Sequence, residues 1–136
     1  MACKGDSLAR DGVVYVPIVN AVAQFSSTNI VNQVLSKGTG ELDALDVNTG
    51  KILWASPLKA PDFGGATVAG NLVFTSTFTS QVLAFNRSSG HQVWSWQVPT
   101  YTNGLLTVVG DTILVPADLG KTPMLIALRV GTSGAN

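Results

Sequence analysis

Apolar positions along this chain come in short runs introduced by turn-forming pairs. Val13-Val14-Tyr15-Val16-Pro17 follows Asp11-Gly12, Leu72-Val73-Phe74-Thr75 follows Gly70-Asn71, and Thr112-Ile113-Leu114-Val115 follows Gly110-Asp111. A glycine-containing pair ahead of a β-branched run predicts a tight turn feeding a strand. The runs are continuous rather than alternating, which predicts strands covered on both faces. Gly70 and Gly110 stand 40 positions apart, the first sign of repetition.

The same spacing governs an eleven-residue stretch. Ala44–Trp54 reads A-L-D-V-N-T-G-K-I-L-W, and Ala84–Trp94 reads A-F-N-R-S-S-G-H-Q-V-W. Asp46 and Asn86 cap their own backbone, and Gly50 and Gly90 supply positive φ, so each copy predicts a strand, a turn and a returning strand. The tryptophan closing each copy carries ~150–250 Å² of surface, which a two-stranded hairpin cannot bury by itself. A neighbouring unit must cover it.

One unit is complete. Gly65–Ala69, Leu72–Thr77, Gln81–Asn86 and His91–Gln97 predict a four-stranded antiparallel meander. The preceding unit is interrupted by residues 18–40, a long loop in which Asn29–Leu35 is expected to form helical turns capped by Thr28. The third unit offers strands over Gly104–Val109, Thr112–Pro116 and Leu125–Val130, with no fourth strand and no third tryptophan. The divisions expected are 1–57 with its insertion at 18–40, 58–98, an incomplete unit at 99–130, and a flexible tail at 131–136. Trp96 is extra to the repeat and is expected on the other side of the outer strand from Trp94, half exposed, where it would mark a contact surface.

The pattern Ala-x-Asp/Asn-x-x-Thr/Ser-Gly-x-x-x-Trp resembles the tryptophan-docking motif of quinoprotein-type β-propellers, the family of pyrroloquinoline quinone (PQQ) dehydrogenases and their non-catalytic relatives. The docking positions are Ala44, Gly50, Trp54, Ala84, Gly90 and Trp94. The resemblance implies an all-β fold of about three consecutive four-stranded blades, the last incomplete. Propellers close with ~4–8 blades, so these blades alone do not make a ring. The chain is therefore expected to be the C-terminal portion of a longer protein or a truncated gene product. Its partners would be the missing blades, or a second copy through exposed sheet edges and an unstacked face. A small β-sandwich with coincidental repeats is the competing architecture.

Composition narrows the setting. The 136 residues are 46% hydrophobic and 12% charged, with zero formal net charge. There is no basic stripe, which argues against nucleic-acid binding, and no apolar run approaches the ~20 residues of a membrane helix. Cys3 is the single cysteine and permits no internal disulfide. No signal peptide is visible in the two residues ahead of it, whereas the resemblance implies a periplasmic or extracellular parent protein. His91 stands alone and suggests no metal site. Lys37-Gly38-Thr39-Gly40 lacks the strand–loop–helix context of a phosphate loop and reads as a turn.

In a propeller the loops at 18–40, Pro61–Gly65, Thr77–Ser80, Pro99–Gly104 and Asp118–Lys121 share one face, and loops on a rigid scaffold carry function. The candidate ligand contacts there are Asp62, Phe63, Phe78, Tyr101 and Asn103. Phe63, Phe78 and Tyr101 would either form an aromatic rim for a flat ligand or cap the interior. Gly64, Gly65 and Gly104 open inner strands where crowded backbones favour small residues, with ligand contact as the alternative. The resemblance implies PQQ and calcium in the full-length protein, with calcium held by carboxylate and amide oxygens, an Asp base, and often adjacent cysteines. This sequence lacks adjacent cysteines, its only glutamate is Glu41, and Asp62 and Asp118 stand 56 positions apart without a supporting motif. No catalytic or metal-binding residue is assigned. The expected role is a scaffold or a ligand- or protein-binding module. The alternative is the C-terminal part of a PQQ-dependent alcohol or sugar dehydrogenase.

Overall fold

A computed structural model describes residues 2–3, 8–118 and 122–129, and every regular element among them is a strand. Three antiparallel sheets follow one another along the chain. The first contains β1 (Ala2–Cys3), β2 (Leu8–Arg10), β3 (Val13–Phe25), β4 (Ile30–Asp46) and β5 (Ile52–Leu58). The order is β1-β3-β4-β5, with β2 also paired to β3. The second is the meander of β6 (Thr67–Ala69), β7 (Leu72–Ser76), β8 (Gln81–Asn86) and β9 (Gln92–Gln97). The third holds β10 (Thr107–Val109), β11 (Thr112–Asp118) and β12 (Pro123–Arg129). The sheets are consecutive blades of a partial β-propeller. The tail 131–136 lies outside the described residues, as do residues 119–121.

Turn chemistry sets the hairpins. Arg10 pairs with Val13, leaving Asp11-Gly12 as a two-residue loop in which both residues have positive φ. That is the type I′ geometry whose twist matches the strands. In the repeated hairpin, Asp46 Oδ1 accepts from the amides of Asn48 and Thr49 and from the Thr49 hydroxyl. Asn86 Oδ1 does the same for the Ser88 and Ser89 amides and the Ser88 hydroxyl. Both hairpins carry a register shift at the same place, between Ala44 and Leu45 and between Ala84 and Phe85.

The second sheet is buried from both sides, which explains its continuous apolar strands. Val73, Leu83 and Phe85 pack with Tyr15, Leu42, Ala44 and Leu58 of the first sheet. Phe74, Val82 and Ala84 pack with Ile113, Val115 and Ala117 of the third. Adjacent residues on one strand thus serve different neighbours, as strand periodicity requires.

Two expectations need correction. The 18–40 stretch forms no helical turns: β3 and β4 continue past the sheet as an antiparallel arm, pairing Val22 with Val34 and Gln24 with Asn32. Ser26 and Asn29 close its tip, where Ser26 N donates to Asn29 O. Val and Ile recur along this segment, and β-branched side chains favour strand over helix. Trp96 does not face away from Trp94. Positions two apart on a strand point the same way, and Trp96 packs against the cluster between the second and third sheets.

Candidate functional site

Trp54 reaches across the junction between the first two sheets. Its Nε1 donates to the carbonyl oxygen of Arg87 at 2.9 Å, in the second sheet's β8–β9 turn. A Cβ on Gly90 of that turn would lie 2.7 Å from the indole carbons. Ser56 donates to the carbonyl of Gly90. Within its own sheet, Trp54 pairs with Ala44, which pairs with Tyr15. The Tyr15 and Trp54 rings meet at 5.8 Å, because only a methyl group stands between their strands. Outside the junction, Arg87 Nη2 lies 2.9 Å from Asp11 Oδ2. Trp94 occupies the corresponding place on the second sheet and is 40% exposed.

At one end of the sheets the connecting segments come together. Asp62 forms an antiparallel bridge with Thr77, and Phe78 N donates to Pro61 O at 2.8 Å. This pairing brings Phe63 and Phe78 to a 6.1 Å ring separation. Tyr101, on the segment entering the third sheet, meets Phe78 edge-on at 6.0 Å. Tyr101 is itself paired through its backbone with Asp118, and its hydroxyl oxygen accepts from Asn103 Nδ2 at 3.2 Å. Beside it lies a cavity of about 190 Å³, lined by Tyr101, Asn103, Gly104, Pro116 and Asp118 among others.

The structure therefore gathers Phe63, Phe78, Tyr101 and Asn103 into one continuous rim. Asp62 departs from its expected place. It is 0% exposed and lies behind the rim, out of reach of a ligand. Its Oδ1 is hydrogen-bonded to the Thr75 hydroxyl at 2.6 Å and accepts from Gly64 N at 3.1 Å. Burial outweighs the lowering effect of those two bonds and pushes the carboxyl up to about 7. Asp62 Oδ2 has no hydrogen-bond partner. The packing account holds for Gly64, where a Cβ would collide with Ser76, and for Gly104, where it would meet Pro116. Thr75, the residue beneath the rim, was missed. Asp62-Phe63-Gly64 is legible as an Asp capping the amide two residues on, but nothing local links it to a threonine on the next strand. His91 is exposed.

No group of three His, Cys, Asp or Glu side chains gathers among the described residues; of the two aspartates close to the rim, Asp62 is sealed beneath it and Asp118 lines the cavity beside Tyr101. What the rim provides is an aromatic edge able to pack against a flat or apolar surface.

A family described as outer membrane protein assembly factor BamB matches residues 20–132. A quinoprotein ethanol dehydrogenase of Pseudomonas aeruginosa is 34% identical over 140 residues, covering 96% of this chain and 19% of that protein. Among solved structures, quinohemoprotein alcohol dehydrogenase ADHIIG from Pseudomonas putida HK5 superposes with a TM-score of 0.60 at 18% identity, over 85% of this chain and 22% of the other. BamB from Moraxella catarrhalis does so with a TM-score of 0.59 at 17% identity, over 91% and 45%. The chain thus spans between about a fifth and a little under half of the length of these relatives. Blades in register, a shared turn-and-tryptophan unit and the family match over most of the residues lead to one assignment: this chain belongs to the PQQ-like repeat family of β-propellers.

Proposed function

We propose that these blades serve as a scaffold and binding module within a larger PQQ-like propeller, presenting the Phe63–Phe78–Tyr101 rim to a small-molecule or protein ligand. The observation that carries this reading is the rim itself: three rings from three connections at the same end of the sheets, each in contact with the next. A protein partner is supported by the match to a family described as an outer membrane protein assembly factor. The same match supports a place in the bacterial envelope, periplasmic or extracellular. The docking role of Ala44, Gly50, Trp54, Ala84, Gly90 and Trp94 is supported by the Trp54 seat on Gly90 and Arg87.

A second reading has its own support. The quinoprotein ethanol dehydrogenase matches nearly the whole chain; on this reading the blades are the C-terminal part of a PQQ-dependent alcohol or sugar dehydrogenase. PQQ and calcium would be held chiefly by other blades, with the rim as part of the pocket wall. The full-length protein separates the readings. Supplied with PQQ and Ca²⁺ and offered alcohols or aldoses, a dehydrogenase reduces an acceptor dye. The scaffold reading expects no turnover and no thermal shift with PQQ; dye reduction overturns it.

A further inference from the structure

A hydroxyl proton shared between two acceptors makes two bonds, each weaker than one that has the proton to itself. Thr75 Oγ1 lies 2.6 Å from Asp62 Oδ1 and 2.8 Å from the carbonyl oxygen of Gly65. That carbonyl has no proton to give, so its bond at full strength takes the Thr75 proton, and an equally strong bond to Asp62 at 2.6 Å then takes its proton from the carboxyl. Gly64 N–H donates to the same Oδ1, which accepts while donating onward. The other oxygen, Oδ2, is buried without a partner. As the carbonyl of a neutral acid it is far less costly there than as half of a carboxylate.

We propose that Asp62 is a neutral carboxylic acid in the folded protein, donating from Oδ1 to Thr75, and that its proton latches the pairing that sets the aromatic rim. The latch follows from position. Asp62 sits in the bridge to Thr77, between Pro61, which accepts from the Phe78 amide, and Phe63, which meets the Phe78 ring. Ionisation would place a charge inside that pairing, and opening it to water is the available relief.

Among the described residues no cation offsets such a charge. The charged residues on elements near Asp62 are Lys59 on its own segment and Lys37, Glu41, Asp43 and Asp46 on β4. β3 carries only Tyr15, the segment entering the third sheet carries Tyr101, and Asp118 ends β11. β6, β7 and the Thr77–Ser80 turn carry none. The influences on Asp62 are burial and its bonds to Thr75 and Gly64, with no charged side chain among them. Its folded value is raised above the ~3.9 of a free Asp. The stability it contributes is therefore complete below about pH 4 and is lost as pH rises towards about 7.

The protonation rests on Thr75 and Asp62 alone; its effect on the rim rests on the rim being the working surface. The test is carboxyl-¹³C NMR of the intact protein labelled at aspartate, titrated across the acid-to-neutral range, with amide exchange at Phe78 followed in parallel. One resonance, absent from Asp62→Asn, is expected to stay protonated well above the range of ordinary carboxyls. Phe78 exchange, corrected for its intrinsic pH dependence, is expected to rise by about tenfold or more through that titration in the wild type and to stay flat in the variant. An Asp62 signal that titrates near the ordinary value overturns the protonation. Titration near neutrality with unchanged Phe78 protection overturns the latch. If Asp62→Asn does not fold, resonance assignment in the wild type alone decides both points, and neither readout depends on ligand binding or turnover.

Discussion

Gly90 meets two demands where Gly50 meets one. Both have positive φ, 71° and 67°, a region that costs an L-residue roughly 1–2 kcal/mol. Around Gly50 a Cβ meets nothing within 4 Å, whereas on Gly90 it would press into the indole of Trp54. Gly50→Ala is therefore expected to cost about 1–2 kcal/mol. Gly90→Ala adds an overpacking cost of about 1–3 kcal/mol. Equal losses in denaturant unfolding would show that the indole does not rest on Gly90. The turn requirement was legible in the sequence because it is local; the contact depends on a side chain from the neighbouring sheet, and no spacing rule announces it. Acid–base behaviour separates residues in the same manner. Hydrogen bonds from the Thr49 amide and hydroxyl and the Asn48 amide hold the Asp46 carboxyl below its usual range. Its contribution is present at neutral pH and disappears in acid, opposite in sign to that of Asp62. Asn86, at the equivalent turn position, has no charge to lose.

Among the elements, the two outer hairpins are alike in sequence and unlike in surroundings. Trp54 is half-buried, hydrogen-bonded and seated on the next sheet, while Trp94 remains 40% exposed. Trp54→Ala is accordingly expected to cost about 3–5 kcal/mol. Trp94→Ala is expected to cost less than half as much in this chain, and equal losses by chemical denaturation would mean that Trp94 is as fully seated as Trp54. Strands, turns and the 40-residue period were all readable, because continuous apolar runs and glycine pairs are properties of single segments. The arm of β3 and β4 was not, since its polar Asn, Ser, Thr and Gln residues fit a loop as well as an exposed hairpin. Its side of the fold was legible: the arm stands where the Thr77–Ser80 turn stands in the second sheet, and a Cβ on Gly38 at its base would touch Pro61 of the rim segment. Phe25 near the tip is 72% exposed. Of the candidate rim, the shared end of the three aromatic positions was legible once the propeller resemblance ordered the loops, whereas the burial of Asp62 depended on how two sheets close over it.

For the whole molecule, stacking leaves the outward face of the third sheet without a neighbour among the described residues. Leu105, Val109 and Leu125 are exposed there, and β12 pairs only with β11 among the described strands. An apolar face beside an unpaired edge favours association. The chain by itself is expected to sediment as a concentration-dependent mixture, and Leu125→Lys with Val109→Lys to shift it toward monomer while leaving its unfolding midpoint nearly unchanged. A monodisperse wild type at high concentration would show that this face needs no cover.

The reach of Trp54 into the following sheet also gives the stack a direction in time. The indole emerges from the ribosome before the turn that receives it, since Arg87 and Gly90 are translated more than thirty residues later. The first leaf is thus sealed by the one synthesised after it, and a nascent chain that ends before Gly90 carries Trp54 unsealed.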